Sequence, residues 1–343
     1  MSADRVFGQP LAAFLGEGPL AGVLLAAAQA GRDLGRRIAA GPLSGDHAAI
    51  VGANTGGDAQ KALDLHADEL FEAAFRGASV RAFASEERDA ATLLDLSGEF
   101  LVALDPLDGS SNIGINVTMG AILAIYAAPA HAGFAPEDLL QPGHAQRAAA
   151  LIVYGPHIDF VFTLGKGTHA ATLDPESGVF RMTRFDILIP EGRAEFAINA
   201  SNARHWPEPV RAYIEDLVMG ETGPRVKNFN MRWIGALAAE ANRILVTGGV
   251  YLYPDDARQG YRHGRLRLVY EANPIAFLVE QAGGLAIDGV NRILDLAPES
   301  LHQRAPLIFG STDKVERVRS YYLDGFRSAA RAPLFGRRGL LRG

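Results

Sequence analysis

Two aspartates three positions apart, Asp105 and Asp108, stand in the run EFLVALDPLDGSSN (residues 99–112), where an apolar stretch meets Gly109, Ser110, Ser111 and Asn112. The carboxylates suit a cation. The successive backbone amides of Gly109, Ser110 and Ser111 suit an anion such as phosphate. Carboxylate and phosphate repel one another, so a hard divalent ion such as Mg²⁺, bound through oxygen and shared by both, reconciles them in one site. The plainer reading is a solvated Asp-Gly turn, and the short motif alone leaves both open. Two further acidic features join it: Glu86 and Glu87 after the apolar approach SVRAFAS, and Glu271 in RLRLVYEANP, directly before a helix start. Singly these would be surface glutamates and a charge at a helix N-terminus. Together they are acids ending apolar segments from distant parts of the chain, the pattern of segment ends converging on one cleft.

The elements that must position these acids alternate in type. Phe100–Leu104 reads as a central strand, with Pro106 expected to stop further pairing of that strand and Asp-Gly setting a tight turn. Residues 21–40 and 57–77 carry apolar residues at helical spacing, with Leu63, Ala67, Leu70 and Ala74 on one stripe of the second. Strand-like runs follow at 100–104, 121–126, 151–155 and 159–165, the last two split by Pro156 and read as neighbouring antiparallel strands. The connection 181–199 is the most irregular, and the domain boundary is placed there: a first domain over 1–195, a second over 196–332, and a basic tail over 333–343. Beyond the boundary, helices are expected at 210–219 and 232–245, strands at 248–254 and 265–270, and a helix opened by Asn273-Pro274 and closed by Gly283-Gly284. Two layered α/β units fit this order.

Composition bounds the partners. The chain has 343 residues, is 48% hydrophobic and carries a formal charge of -6, which disfavours nucleic acid or an anionic membrane as partner and favours a small molecule. The complete lack of cysteine excludes disulfides, thiolate metal sites and thiol nucleophiles. The N-terminal run has neither a basic start nor a long apolar core, so a cytoplasmic location is expected. No G-x-x-x-x-G-K-[ST] loop and no D-x-D-x-[TV] aspartyl nucleophile is present, leaving water as the attacking group.

DPLDGSSN, with SEE upstream and YEANP…AGG downstream, resembles class I fructose-1,6-bisphosphatase, and the likeness extends through GDAQKALD, LQPG, GGVYLYP and HQRAP. The related inositol monophosphatases share D-P-x-D-G-[ST] but carry a later W-D-x-A-A that is absent here. The resemblance implies an α-β-α-β-α layered sandwich, the Li⁺-sensitive, Mg²⁺-dependent sugar phosphatase fold. It implies release of the 1-phosphate of fructose 1,6-bisphosphate by metal-activated water, in gluconeogenesis or the Calvin cycle. Sedoheptulose-1,7-bisphosphatase or dual specificity is the alternative, and a catalytically silent sugar-phosphate binder a more distant one. It further implies about two or three Mg²⁺ ions per site, with Mn²⁺ as a substitute, and a homotetramer. Metal ligands fall at Glu86, Asp105, the Leu107 carbonyl, Asp108 and Glu271, with Asp58 near a further ion. Asp64 and Glu87 match the pair that orients and deprotonates water. Asp108, Gly109, Ser110 and Ser111 match the 1-phosphate cradle. Asn199, Tyr253, Arg265 and, across a subunit interface, Arg232 match the contacts to the sugar and its distal phosphate.

The chain also departs from this pattern. Asn202 and Trp233 stand where animal members set tyrosines against the distal phosphate, and Arg265 replaces a lysine. EFLVALD lacks the Lys-Tyr with which animal members bind AMP, and the ending APLFGRRGLLRG resembles proteobacterial Calvin-cycle forms.

Overall fold

The computed structural model describes residues 5–53, 59–131 and 133–324. Asp58 and the tail 333–343 lie outside them. Eight strands form the larger sheet, in the order Phe180–Arg184, Thr168–Leu173, Ile158–Thr163, Gln146–Tyr154, Met119–Ala127, Phe100–Asp108, Val80–Ser85 and Thr92–Leu93. Every neighbour pair is antiparallel except Val80–Ser85 with Phe100–Asp108, which run parallel. The central strands are buried on both faces, which is why 121–126 reads as an unbroken apolar run rather than an alternation.

Helices Pro19–Ala40 and Ala62–Arg76 pack on one face of this sheet. Helices Leu237–Thr247 and Asn273–Gln281 pack on the other, through Ile122, Leu151 and Val161. The same two helices also cover a second, five-stranded sheet, built from Asn230–Met231, Glu195–Ile198, Val250–Tyr253, Leu307–Gly310 and Leu285–Ile287. Helices Glu208–Val218 and Thr312–Leu323 close its far face around Tyr213, Leu252 and Val315. The result is the five-layer α-β-α-β-α order expected from the resemblance.

Three local expectations are corrected. The strand holding Asp105 does not end at Pro106: Asp105 pairs with Ile122 and Asp108 with Gly120, so Pro106 and Leu107 together oppose Ala121 in a bulge. Proline gives no N–H to a ladder, and a bulge is where a paired strand tolerates one. The strand expected over 265–270 is confined to Leu266–Arg267, after which Leu268–Ala272 wind into a π-helical turn leading into the next helix. The helix expected from residue 232 begins at Leu237, because Gly235 takes a left-handed φ of 80° that an α-helix cannot contain.

Candidate active site

The bulge decides where the two aspartates point. In an unbroken strand, residues three apart face opposite sides of the sheet. The extra residue at 106–107 restores the parity, so that Asp105 and Asp108 both face the middle helical layer, opposite Ile122 and Gly120 on one face of the partner strand. Asp108 is held there by the backbone N–H of Ala238, which donates to its Oδ2 at 2.7 Å. Gly120 makes room for this approach, since a Cβ on it would lie 2.3 Å from the Ala238 methyl.

The next strand supplies Glu86 through the parallel pairing: the amide of Glu86 donates to the Leu104 carbonyl at 3.0 Å, one residue before Asp105. Glu271 enters from the π-helical turn, fixed by the amide of Arg267 donating to its Oε2. A carboxylate oxygen from each of Glu86, Asp105 and Glu271 lies within 4.8 Å of the other two. Burial is the largest influence on the two aspartates and Glu271. With Glu86 next, it holds Asp105 and Glu271 well above the usual carboxylate range, and it pushes Asp108 up to about 6. Bare, such a set takes up protons. An oxygen-only donor set of concentrated negative charge fits a hard divalent cation, whose charge would let the carboxylates ionise together.

Beside this triad the chain turns at Gly109, whose φ is 84° and where a Cβ would come 2.7 Å from the Ala236 methyl. A 3₁₀ turn over Ser110–Asn112 follows, and the first amides of such a turn have no partner inside it. Gly109, Ser110 and Ser111, with Glu86, Glu87, Asp105, Leu107, Asp108 and Glu271, line a cleft of about 360 Å³. Lys61 also lines it and donates from Nζ to the Ser110 carbonyl at 2.6 Å.

Glu87 accepts from Gln60 Nε2 at 2.6 Å. Burial, with Asp64, Glu86 and Asp68 adding to it, pushes Glu87 up to about 7. Asp64 sits behind the cleft in the first turn of its helix, accepts from the Lys61 amide at 2.8 Å, and is raised by its own burial.

The remaining expected residues lie on the second sheet and the loop after it. Asn199 caps a 3₁₀ turn by accepting from the amide of Ser201. With Asn202, Tyr253 and Asp256 it lines a smaller pocket. Tyr253 lies within electrostatic reach of Arg265 and Glu271. Trp233 stacks on Tyr251 at a centroid distance of 5.8 Å and an interplanar angle of 8°. Arg232 stands apart, its side chain 56% exposed and 3.5 Å from Glu195. The sequence reading left out Lys61 and Gln60, although both lie in the quoted GDAQKALD. It also left out Arg267, a buried guanidinium 3.7 Å from Glu86, and Arg258, which donates to Asn202.

The chain is similar to known proteins along most of its length. Residues 9–184 match the family model described as "Fructose-1-6-bisphosphatase, N-terminal domain", and residues 189–323 match that of its C-terminal domain. A "Fructose-1,6-bisphosphatase class 1" of Paracoccus denitrificans is 51% identical over 317 residues, covering 92% of this chain and 94% of that protein. One of Sinorhizobium medicae is 48% identical over 328 residues, 94% and 93% of the two chains. The crystal structure of Leishmania major fructose-1,6-bisphosphatase in holo form superposes with a TM-score of 0.87 at 32% identity, covering 92% of this chain and 99% of that one.

Proposed function

The chain belongs to the class 1 fructose-1,6-bisphosphatase family, and on that premise we propose that this cleft hydrolyses the 1-phosphate of D-fructose 1,6-bisphosphate. The products are fructose 6-phosphate and inorganic phosphate. The observation that carries the proposal is the meeting of Glu86, Asp105 and Glu271 within 4.8 Å beside the Gly109–Ser111 turn, an acidic centre next to a row of amide donors.

In this reading Glu86, Asp105, Asp108, Glu271 and the Leu107 carbonyl hold Mg²⁺, for which Mn²⁺ can substitute. When bound, the ion neutralises the carboxylates, draws charge from the phosphoryl oxygens and makes water more acidic. The amides of Gly109, Ser110 and Ser111 take the phosphate oxygens, and Lys61 steadies that turn through the Ser110 carbonyl. Glu87, turned by Gln60, accepts the proton of the attacking water, and Asp64 behind it helps to orient that water. Asp58 is proposed to approach a further ion.

The sugar and its distal phosphate are proposed to reach Asn199, Tyr253 and Arg265, with Arg232 reaching the cleft of a neighbouring subunit in a homotetramer. A boundary near residue 195, between the two sheets, belongs to the same reading, as does a cytoplasmic location. Among the described residues, no helix is long and apolar enough to cross a membrane.

A phosphate-release assay on fructose 1,6-bisphosphate, with Mg²⁺ and with excess chelator, tests the proposal. Turnover with Mg²⁺ that is lost in chelator and lost in Asp108→Asn is expected. No turnover by the wild type, or full turnover in chelator, would overturn it.

A further inference from the structure

We propose that Arg258 provides a second guanidinium from the same chain for the distal phosphate, acting beside Arg265 and setting how strongly the enzyme prefers a bisphosphate to a monophosphate. The inference rests on the bisphosphatase reading above and names a specificity residue within it.

The loop that follows Tyr253 folds back so that two arginines meet one aromatic ring. The Cζ of Arg258 lies 4.6 Å, and that of Arg265 4.7 Å, from the centroid of Tyr261, both within cation–π range. Arg265 also lies within electrostatic reach of Tyr253 and has no carboxylate partner among the described residues. Two guanidiniums gathered on one tyrosine repel each other, and an anion between or beside them relieves that repulsion.

Arg258 is already oriented for such a task. Its Nε lies 3.0 Å from both carboxylate oxygens of Asp256, and its Nη2 donates to Asp256 Oδ2 and, at 3.1 Å, to Asn202 Oδ1. The fork is thus held by one edge, while Nη1 has no partner among the described residues. A guanidinium whose rotamer is fixed in advance loses less entropy when it takes a phosphate oxygen.

Asn202 and Tyr253 line the same small pocket, and Tyr253 in turn feels Glu271. The arginine pair therefore flanks the side of the site that a second phosphate must occupy once the first lies against the carboxylates. The amide oxygen of Asn202 accepts from Arg258, so the cation on the loop replaces a donor at position 202 itself.

The test compares kcat/KM on fructose 1,6-bisphosphate and fructose 1-phosphate for wild type, Arg258→Gln and Arg258→Lys. Loss of a charge-assisted hydrogen bond predicts that the bisphosphate-to-monophosphate ratio falls about 10-fold in Arg258→Gln, mostly through KM, and by a smaller factor in Arg258→Lys. The inhibition constant of fructose 6-phosphate should rise by a similar factor. If Arg258→Gln fails to fold, Tyr261→Leu, which removes the shared ring, must lower the same ratio. A ratio within twofold of wild type in a folded variant overturns the inference and leaves Arg258 as a loop brace. A wild type inactive on fructose 1,6-bisphosphate would instead overturn the functional reading on which it rests.

Discussion

Glu86 and Asp105 each stand one residue beyond a registered pair, Ser85 opposite Leu104, where the pairing between two parallel strands stops. The pairing that builds the sheet therefore delivers two carboxylates side by side, and Glu271 completes the cluster from a separate element. Like charges about 4 Å apart repel by about 4 kcal/mol at an effective dielectric of about 20. The fold holds this arrangement against that repulsion.

A divalent cation should stabilise the protein as well as activate it. At a hundred times its Kd a ligand of the native state adds about 2.7 kcal/mol, so Mg²⁺ should raise the Tm measured by calorimetry. Asp105→Asn should lose most of that rise without lowering the Tm of the metal-free protein, because it removes a carboxyl that burial and its acidic neighbours disfavour. An unchanged Tm on adding Mg²⁺ to the wild type would count against the metal site.

Glu87→Gln and Asp64→Asn should each lower kcat by roughly 10²- to 10⁴-fold, the usual range for general-base catalysis, with far smaller changes in KM. Gln60→Leu removes the donor that orients Glu87 and should cost about tenfold in kcat. Steady-state kinetics on all three decides it: losses confined to KM would remove both residues from the chemistry.

Gly109→Ala tests the phosphate turn through its backbone. A φ of 84° and a Cβ placed 2.7 Å from the Ala236 methyl penalise any side chain there. We expect about 1–3 kcal/mol of lost stability from strain and overpacking, together with a fall in kcat/KM. A variant with wild-type stability would show that the turn relaxes freely.

On the far side of the large sheet, Asp174 accepts from Ser177, Arg181 and the Glu176 amide, which together hold its carboxyl down at about 2 against an ordinary 3.8. A depressed folded-state pKa contributes stability above the unfolded value and loses it as pH falls toward 2. Asp174→Asn should therefore lower the Tm at pH 6 and have a smaller effect at pH 3. An equal effect at both would locate the loss elsewhere.

Trp233 packs against Tyr251 and presents only an N–H, while Asn202 is occupied with Arg258. Neither supplies a phenol that gauges substrate length, so the enzyme should hydrolyse a seven-carbon 1,7-bisphosphate alongside the six-carbon substrate. Trp233→Tyr should sharpen the preference for fructose 1,6-bisphosphate through KM. Rates on the two substrates by phosphate release settle the matter; a wild type inert toward the longer one ends the idea.

The acids were legible because their types and their places at segment ends are written in the chain. What brings them together was less so. The bulge at Pro106 and Leu107 depends on the partner strand as much as on the proline, and proline read locally argues only for an end to pairing. The π-helical turn carrying Glu271 lies in an apolar run whose alternation resembles a strand, and packing against the middle layer overrides that pattern. Gln60 and Lys61 look like ordinary polar residues before a helix, and their roles come from Glu87 and Ser110, 27 and 49 positions away. Arg258 sits in a loop of mixed charge whose fold local spacing does not reveal.

Helices Leu237–Thr247 and Asn273–Gln281 are covered by one sheet on each side. Neither half of the chain therefore owns its hydrophobic interior: cut between Arg184 and Glu195, each fragment would leave bare the surface that the other had shielded. Heating should melt the protein in a single cooperative step, and either fragment expressed alone should aggregate, even though the two stretches are recognisable separately by sequence.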